Sequence, residues 1–277
     1  MTTTALLVNP NTSAWVTQRL AVHLRRQWRG DAAASGIALA TATARFGASY
    51  IASEAGFAIA AHAALDAAVR TCDRAYARRR EAAGSAASAA PPFAAVLVGC
   101  FGDPGLFALR SILPMPVIGL AQAAFDEAAG HGRFAVVTGG KAWQPMLERI
   151  VRAFGHDAAL TRIVVIERSG AELASDPGLA RSLLAAAGRE AAAGDSDCVV
   201  LGGAAFAGYG DAIASEVGVP VVDSVSAAGR ALAATIRVAG GATAVALDGA
   251  SYRGLHPVLA RWVTGDGASG QLSCRQV

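Results

Sequence analysis

One pattern constrains this chain more than any other. Short runs of β-branched and large aliphatic residues, most of them closed by glycine, asparagine, threonine or proline, alternate with long alanine-rich segments. Strands of a parallel sheet are buried on both faces and read as continuous apolar runs, and each needs a helix to carry the chain back before the next strand. The candidate strands are Ala5 to Val8, Ala94 to Val98, Val117 to Gly119, Phe134 to Val137, Arg162 to Ile166, Cys198 to Leu201, Val221 to Val222 and Thr243 to Leu247. An α/β fold with parallel sheets flanked by helices follows. In such sheets ligands bind at the loops beyond the carboxyl ends of the strands, so the residues just after each run are where chemistry is to be sought.

The runs also repeat. Ala95-Val-Leu-Val-Gly-Cys-Phe, followed by Met115-Pro-Val-Ile-Gly and Ala-Gln-Ala-Ala, has a counterpart in Cys198-Val-Val-Leu-Gly-Gly-Ala, followed by Val219-Pro-Val-Val-Asp and Val-Ser-Ala-Ala. Leu6-Leu-Val-Asn-Pro-Asn-Thr-Ser likewise parallels Ala135-Val-Val-Thr-Gly-Gly-Lys-Ala. Three matches in one order predict two pseudo-symmetric lobes with a site in the cleft between them. Residues 1–122 with 226–277 form the first lobe, which carries Cys100, and residues 123–225 form the second, which carries Gly203. The stretch Glu81 to Pro92, rich in Ala, Ser, Gly and Pro, reads as a surface loop.

Several function classes are excluded. A mean hydropathy of +0.40 reflects alanine, and glycine or charge breaks each apolar run before the roughly 20 residues that span a bilayer. The N-terminal run has no basic leader and stops at Asn9, so a cytoplasmic protein without a membrane partner is expected. The net charge is only +3, and the clusters Arg25-Arg26 and Arg78 to Arg80 fall in helical stretches without interleaved aromatics, so they read as solvated faces and no nucleic-acid partner is expected. Cys72, Cys100, Cys198 and Cys274 form no CxxC pair, and His23, His62, His131, His156 and His256 show no paired ligand spacing, so neither a metal nor a disulfide framework is expected. Thr138-Gly-Gly-Lys-Ala-Trp143 is a glycine-rich turn without the GxxxxGK[ST] spacing of a phosphate loop. No cofactor is predicted.

Four segments remain as candidates. Cys100 opens the turn Gly99-Cys-Phe-Gly-Asp-Pro-Gly105 at a strand end, where a thiol can meet a ligand and neighbouring backbone N–H groups can lower its pKa. The position by itself equally suits an inert core thiol, and Cys72 and Cys198 read as core. Asn9, Asn11 and Thr12 follow the first strand and offer amides, a hydroxyl and helix N-terminal N–H groups to a carboxylate or imide, or else form a simple cap. Thr138 and Gly139 hold the equivalent place in the second lobe. Arg45-Phe-Gly-Ala-Ser-Tyr50 can fold Phe46 and Tyr50 over the cleft. His256 is the histidine singled out as a candidate acid or base.

The motifs LLVNPNTS, GCFGDPGL, VVTGGKAWQPML and VLGGAAFAG resemble the aspartate/glutamate/hydantoin racemase superfamily, in particular its hydantoin and allantoin racemase branch. The resemblance implies a cofactor-independent, homo-oligomeric racemase that moves a proton at a carbon next to a carbonyl of a small carboxylate or cyclic imide. Family members place one cysteine on each lobe, one thiolate removing the proton and the opposite thiol returning it. Cys100 matches the first position, and Gly203 stands where the second cysteine is usual. The resemblance places Phe101, Gly102, Gly202 and Gly203 around the ligand, with the amides near Gly102 and Gly203 on its carbonyl oxygens. The missing cysteine leaves room for a decarboxylase resembling arylmalonate decarboxylase, a relative with a single cysteine on the opposite lobe, or for a non-catalytic binding role. If racemisation persists, water or His256 is expected to complete the second step.

Overall fold

Among the described residues eight parallel strands form two sheets of four, and each sheet has the same internal order. The computed structural model describes residues 3–83, 90–168, 172–173, 176–238 and 251–265. The first half runs β1 (Thr3–Asn9), α1 (Ala14–Arg29), β2 (Ile37–Thr43), α2 (Glu54–Ala83), β3 (Ala95–Val98), α3 (Leu106–Ile112), β4 (Val117–Gly119) and α4 (Leu120–Ala129). The second half runs β5 (Phe134–Gly139), α5 (Trp143–Ala153), β6 (Leu160–Ile166), α6 (Pro177–Ala192), β7 (Cys198–Gly202), α7 (Gly210–Val217), β8 (Val221–Asp223) and α8 (Ser224–Val238), and α9 (Pro257–Val263) follows. Sheet one is ordered β2-β1-β3-β4 and sheet two β6-β5-β7-β8. The expected two-lobed α/β architecture is therefore present.

Side-chain alternation shows how the sheets are covered. In β1, Ala5 and Leu7 face a core shared by both sheets, while Leu6 and Val8 face the outer helices. In β7, Cys198 and Val200 face the shared core, while Val199 and Leu201 pack under the outer helices α6 and α7. A strand that is apolar on both faces satisfies both contacts, which is why the central strands read as unbroken aliphatic runs. Four helices fill the middle layer. Helix α4 follows sheet one yet packs also on β7 and β8, and α8 follows sheet two yet packs on α1, β3 and α4. These crossings bury Phe125, Phe134 and Leu232 completely between the sheets.

Two local predictions change. Strand β2, with sequence IALATAT, has no counterpart among the predicted strands: it is an edge strand of alternating small residues, half of them only partly buried. Helix α2 extends to Ala83, three residues into the segment read as a loop, because alanine and glutamate favour helix and no breaker precedes Gly84. The predicted strand Thr243 to Leu247 and Cys274 lie outside the described residues.

Candidate active site

The strands of both sheets point their carboxyl ends at one cavity of about 310 Å³. The first lobe contributes Asn11, Ser13, Trp15 and Val16 after β1, Ser49 to Ile51 from the loop between β2 and α2, and Gly99 to Phe101 after β3. The second contributes Thr138 and Gly139 at the end of β5 with Trp143 beyond it, and Gly202 at the end of β7 with Gly203 to Phe206 beyond it. The ladder defines the pseudo-symmetry of these turns: Val8 pairs with Val98 in sheet one and Val137 with Leu201 in sheet two. Two residues beyond those pairs, Cys100 and Gly203 occupy equivalent positions.

Cys100 is 9% exposed and its open side borders the cavity. Its turn is fixed by Asp103, whose N–H donates to the Cys100 carbonyl at 3.0 Å. Asp103 adopts a left-handed backbone with φ of 53°. Its carboxylate accepts from Ala121 N at 2.9 Å and Gln122 N at 2.8 Å, the first turn of α4. Position 119 is glycine because the Asp103 carboxylate fills the space a side chain would need. Burial pushes the Asp103 carboxyl up to about 7 against the opposing backbone donors. Burial, and then the Asp103 charge, pushes the Cys100 thiol well above its ordinary range. The expected depression of that pKa is thus reversed: dehydration of the sulfur outweighs the neighbouring N–H dipoles.

The eleven other proposed ligand contacts separate into seven that line the cavity and four that do not. Asn11, Tyr50, Phe101, Thr138, Gly139, Gly202 and Gly203 line the cavity. Asn9 does not: it is fully buried, and its Nδ2 donates to Asn11 Oδ1, the Ser13 carbonyl and Thr17 Oγ1, each at 3.0 Å, while its Oδ1 accepts from Asn11 N at 3.1 Å. The result orients Asn11, whose Oδ1 also accepts from Ser13 N at 2.9 Å, and leaves the Asn11 Nδ2 without a partner among the described residues. Thr12 ties the first lobe's turn to the overlying loop through Thr12 N to the Ala48 carbonyl, 3.1 Å. Phe46 turns outward onto His62, with ring centroids 5.1 Å apart. Gly102 lies beneath the Trp143 ring, which comes within 2.6 Å of where a Cβ would stand.

Aromatic rings lock the two lobes across the cleft. Phe101 lies so close on Gly202 that no side chain fits there, and Trp143 answers from the other lobe on Gly102. Tyr50 Oη donates to the Gly139 carbonyl at 3.1 Å, and Arg149 holds Glu54 in a two-pronged pair at 3.1 and 2.8 Å. Arg19 stacks on Trp15 and donates to the Ala205 carbonyl at 2.9 Å. Trp15, Trp143 and Phe206 were not expected in the lining, because an aromatic on a helix or turn reads as core until the docking of the lobes is known.

The second lobe's turn carries no thiol. Thr138 Oγ1 donates to the Gly202 carbonyl at 3.2 Å. Gly203 N donates to Ser224 Oγ at 3.3 Å, so this amide, expected on the ligand, is already engaged. The N–H groups of Phe101, Ala204 and Ala205, which border the cavity, have no partner among the described residues. Cys198 is confined to the start of β7, with Sγ 3.5 Å from the Ala128 carbonyl. His256 is excluded from the site: it is exposed, its Nδ1 accepts from Val258 N at 3.2 Å at the start of α9, and that helix packs on α2 outside sheet one. Among the described residues no group of three His, Cys, Asp or Glu could hold a metal ion, and no helix is long and apolar enough to cross a membrane.

The fold has counterparts in known proteins. The allantoin racemase from Klebsiella pneumoniae superposes with a TM-score of 0.70 at 27% identity over 87% of this chain and 90% of that one. Allantoin racemase from Pseudomonas fluorescens gives 0.72 at 26% identity, over 87% and 93%. A hydantoin racemase of Pseudomonas sp. strain NS671 is 33% identical over 135 residues, which are 48% of this chain and 54% of that protein. The chain spans about half the length of the curated relatives it matches. Residues 6–232 match the family described as Asp/Glu/Hydantoin racemase, and the chain belongs to that family.

Proposed function

We propose that this chain is a cofactor-independent racemase that moves a proton at a carbon next to a carbonyl, with a hydantoin-like cyclic imide as substrate class and Cys100 as an acid/base residue. The observation that carries the reading is the placement of one titratable sulfur on the wall of a cavity built by both lobes. Hydantoin and allantoin racemases among the similar proteins support the substrate class. The Asn11 amide and the free N–H groups of Phe101, Ala204 and Ala205 bind the carbonyl oxygens and take up charge as the enolate forms. The Cys100 thiolate removes the proton of one enantiomer, and as a thiol it returns a proton to the same face of the enolate generated from the other. A strongly basic thiolate suits a weakly acidic carbon.

The test is an enantiopure 5-alkylhydantoin in deuterium oxide. Wild-type protein is expected to lose optical activity and place deuterium on the reacting carbon, and Cys100→Ser is expected to lose racemisation while still binding. A panel of hydantoins, aspartate, glutamate and substituted malonates that bind without exchange would replace this reading with a binding role. Release of carbon dioxide from a malonate would replace it with the single-cysteine decarboxylase reading, which the glycine at position 203 favours.

A further inference from the structure

We propose that Tyr50 is the second proton-transfer residue of the cleft, its phenol serving the substrate face opposite Cys100. This rests on the racemase reading and supplies the partner that the glycine at position 203 lacks.

Elimination within the cavity leads to Tyr50. Among its lining residues, Cys100 and Tyr50 are the two whose side chains can gain or lose a proton near neutrality or above; the rest are an amide, hydroxyls of serine and threonine, indoles, aliphatic chains, two phenyl groups and glycine. The serine and threonine hydroxyls are far weaker acids than a phenol, and among the described residues no histidine, carboxylate or lysine lines the wall. Geometry then places the phenol. Tyr50 belongs by sequence to the first lobe, but its loop is tied down at Ala48 by Thr12 and its ring crosses the cleft. Its oxygen ends on the second lobe's turn, donating to Gly139 and standing 2.7 Å from where a Cβ on Gly140 would be. Cys100 reaches the cavity from the end of β3 in the first lobe. A small ring held between the lobes therefore has the sulfur on one side and the phenol on the other.

The electrostatics fit an exchange of one proton between two matched groups. Burial raises Tyr50, the polar edge of the neighbouring Trp143 indole opposes that rise, and the Cys100 charge adds to it. Thiol and phenol are thus both weak acids here, and ionising one discourages ionising the other. In one direction the Cys100 thiolate takes the proton from carbon, the electron pair of that C–H bond moves into the enolate, and Tyr50 O–H delivers its proton to the opposite face. The products are the other enantiomer, a Cys100 thiol and a tyrosinate beside the Trp143 indole. The reverse reaction starts from that state, and solvent exchange resets the pair.

Tyr50→Phe keeps the ring on the cleft wall and removes only the oxygen. With each enantiomer of a 5-alkylhydantoin supplied separately in deuterium oxide, the variant is expected to lose racemisation at least about 100-fold. It is expected to retain deuterium exchange without inversion for one enantiomer, and Cys100→Ser to retain it for the other. Racemisation within threefold of wild type, exchange from both enantiomers, or exchange from neither in folded Tyr50→Phe would overturn the assignment. A wild type that exchanges neither enantiomer fails the racemase reading itself, and Tyr50 loses its role with it.

Discussion

The turn after β3 and the turn after β7 have the same place in two sheets of identical order, yet they are built differently. In the first lobe the chain is tied down by polar side chains: Asn9, at the end of β1 beside β3, makes four hydrogen bonds within the turn that follows it, and Asp103 bridges the Cys100 turn to α4. Around Gly203 the corresponding ties are single, with Thr138 on Gly202 and Ser224 on Gly203. The acid at the start of the crossing helix is retained in both lobes but reached from different points in the chain. Asp103 comes from the turn after the third strand, whereas Asp223 ends the fourth and accepts from Gly208, Val225 and Ser226. The backbone frame is thus shared while the chemistry is not. One lobe holds a reactive atom rigidly, and the other offers backbone donors and borrows its proton-transfer group from across the cleft.

The largest test of that asymmetry is removal of the sulfur. Cys100→Ala is expected to lower kcat for hydantoin racemisation by about 10² to 10⁴, the range for loss of a positioned acid or base, with Kd by calorimetry within a few-fold. A retained kcat would dissolve the distinction between the turns. Next comes their differing support. Asn9→Ala strands several buried partners and should cost about 2 to 3 kcal/mol in urea unfolding, whereas Thr138→Val removes one hydrogen bond and should cost about 1 kcal/mol. Equal losses would mean that the two turns are equally braced.

Restoring symmetry is the third test. Gly203 has φ of 140° and ψ of 144°, a backbone that strains any side chain, although a Cβ there would meet nothing closer than Phe206 at 3.8 Å. Gly203→Cys should therefore fold with a loss of about 1 to 3 kcal/mol, and it should return racemisation to the Tyr50→Phe protein. A folded double variant that stays inactive would show that position 203 does not face the reacting carbon. The smallest effect concerns Asp103. Its carboxyl titrates near 7, and its charge raises the Cys100 pKa only once ionised, after the larger contribution from burial. Asp103→Asn should leave iodoacetamide labelling of Cys100 unchanged below pH 7 and speed it a few-fold above, measured by mass spectrometry across pH 6 to 9; a difference that grows toward acid would reverse the sign.

The sequence was most legible where burial is two-sided. Runs such as Leu6 to Val8, Ala95 to Val98 and Cys198 to Leu201 declare central strands because both faces meet cores. Edge strand β2 was silent, since alanine and threonine on a half-exposed surface carry little apolar signal. Cys100, Asn11 and Thr138 were readable from their position at strand ends, and Tyr50 from its place in the aromatic loop Arg45 to Tyr50. Which neighbour faces the ligand was not, because Asn9 and Asn11 differ only in where a short turn aims them. Trp143 and Trp15 depend on contacts between lobes far apart in sequence, and His256 sits on a helix whose docking on α2 no local pattern announces.

The most direct measurement is a crystal structure of Cys100→Ser bound to an enantiopure 5-alkylhydantoin. The account predicts the imide between the two turns, its carbonyl oxygens on Asn11 and the amides of Phe101, Ala204 and Ala205, with residue 100 and the Tyr50 oxygen on opposite faces of the reacting carbon. A ligand seated outside this cavity, or with residue 100 and Tyr50 on one face, would contradict it.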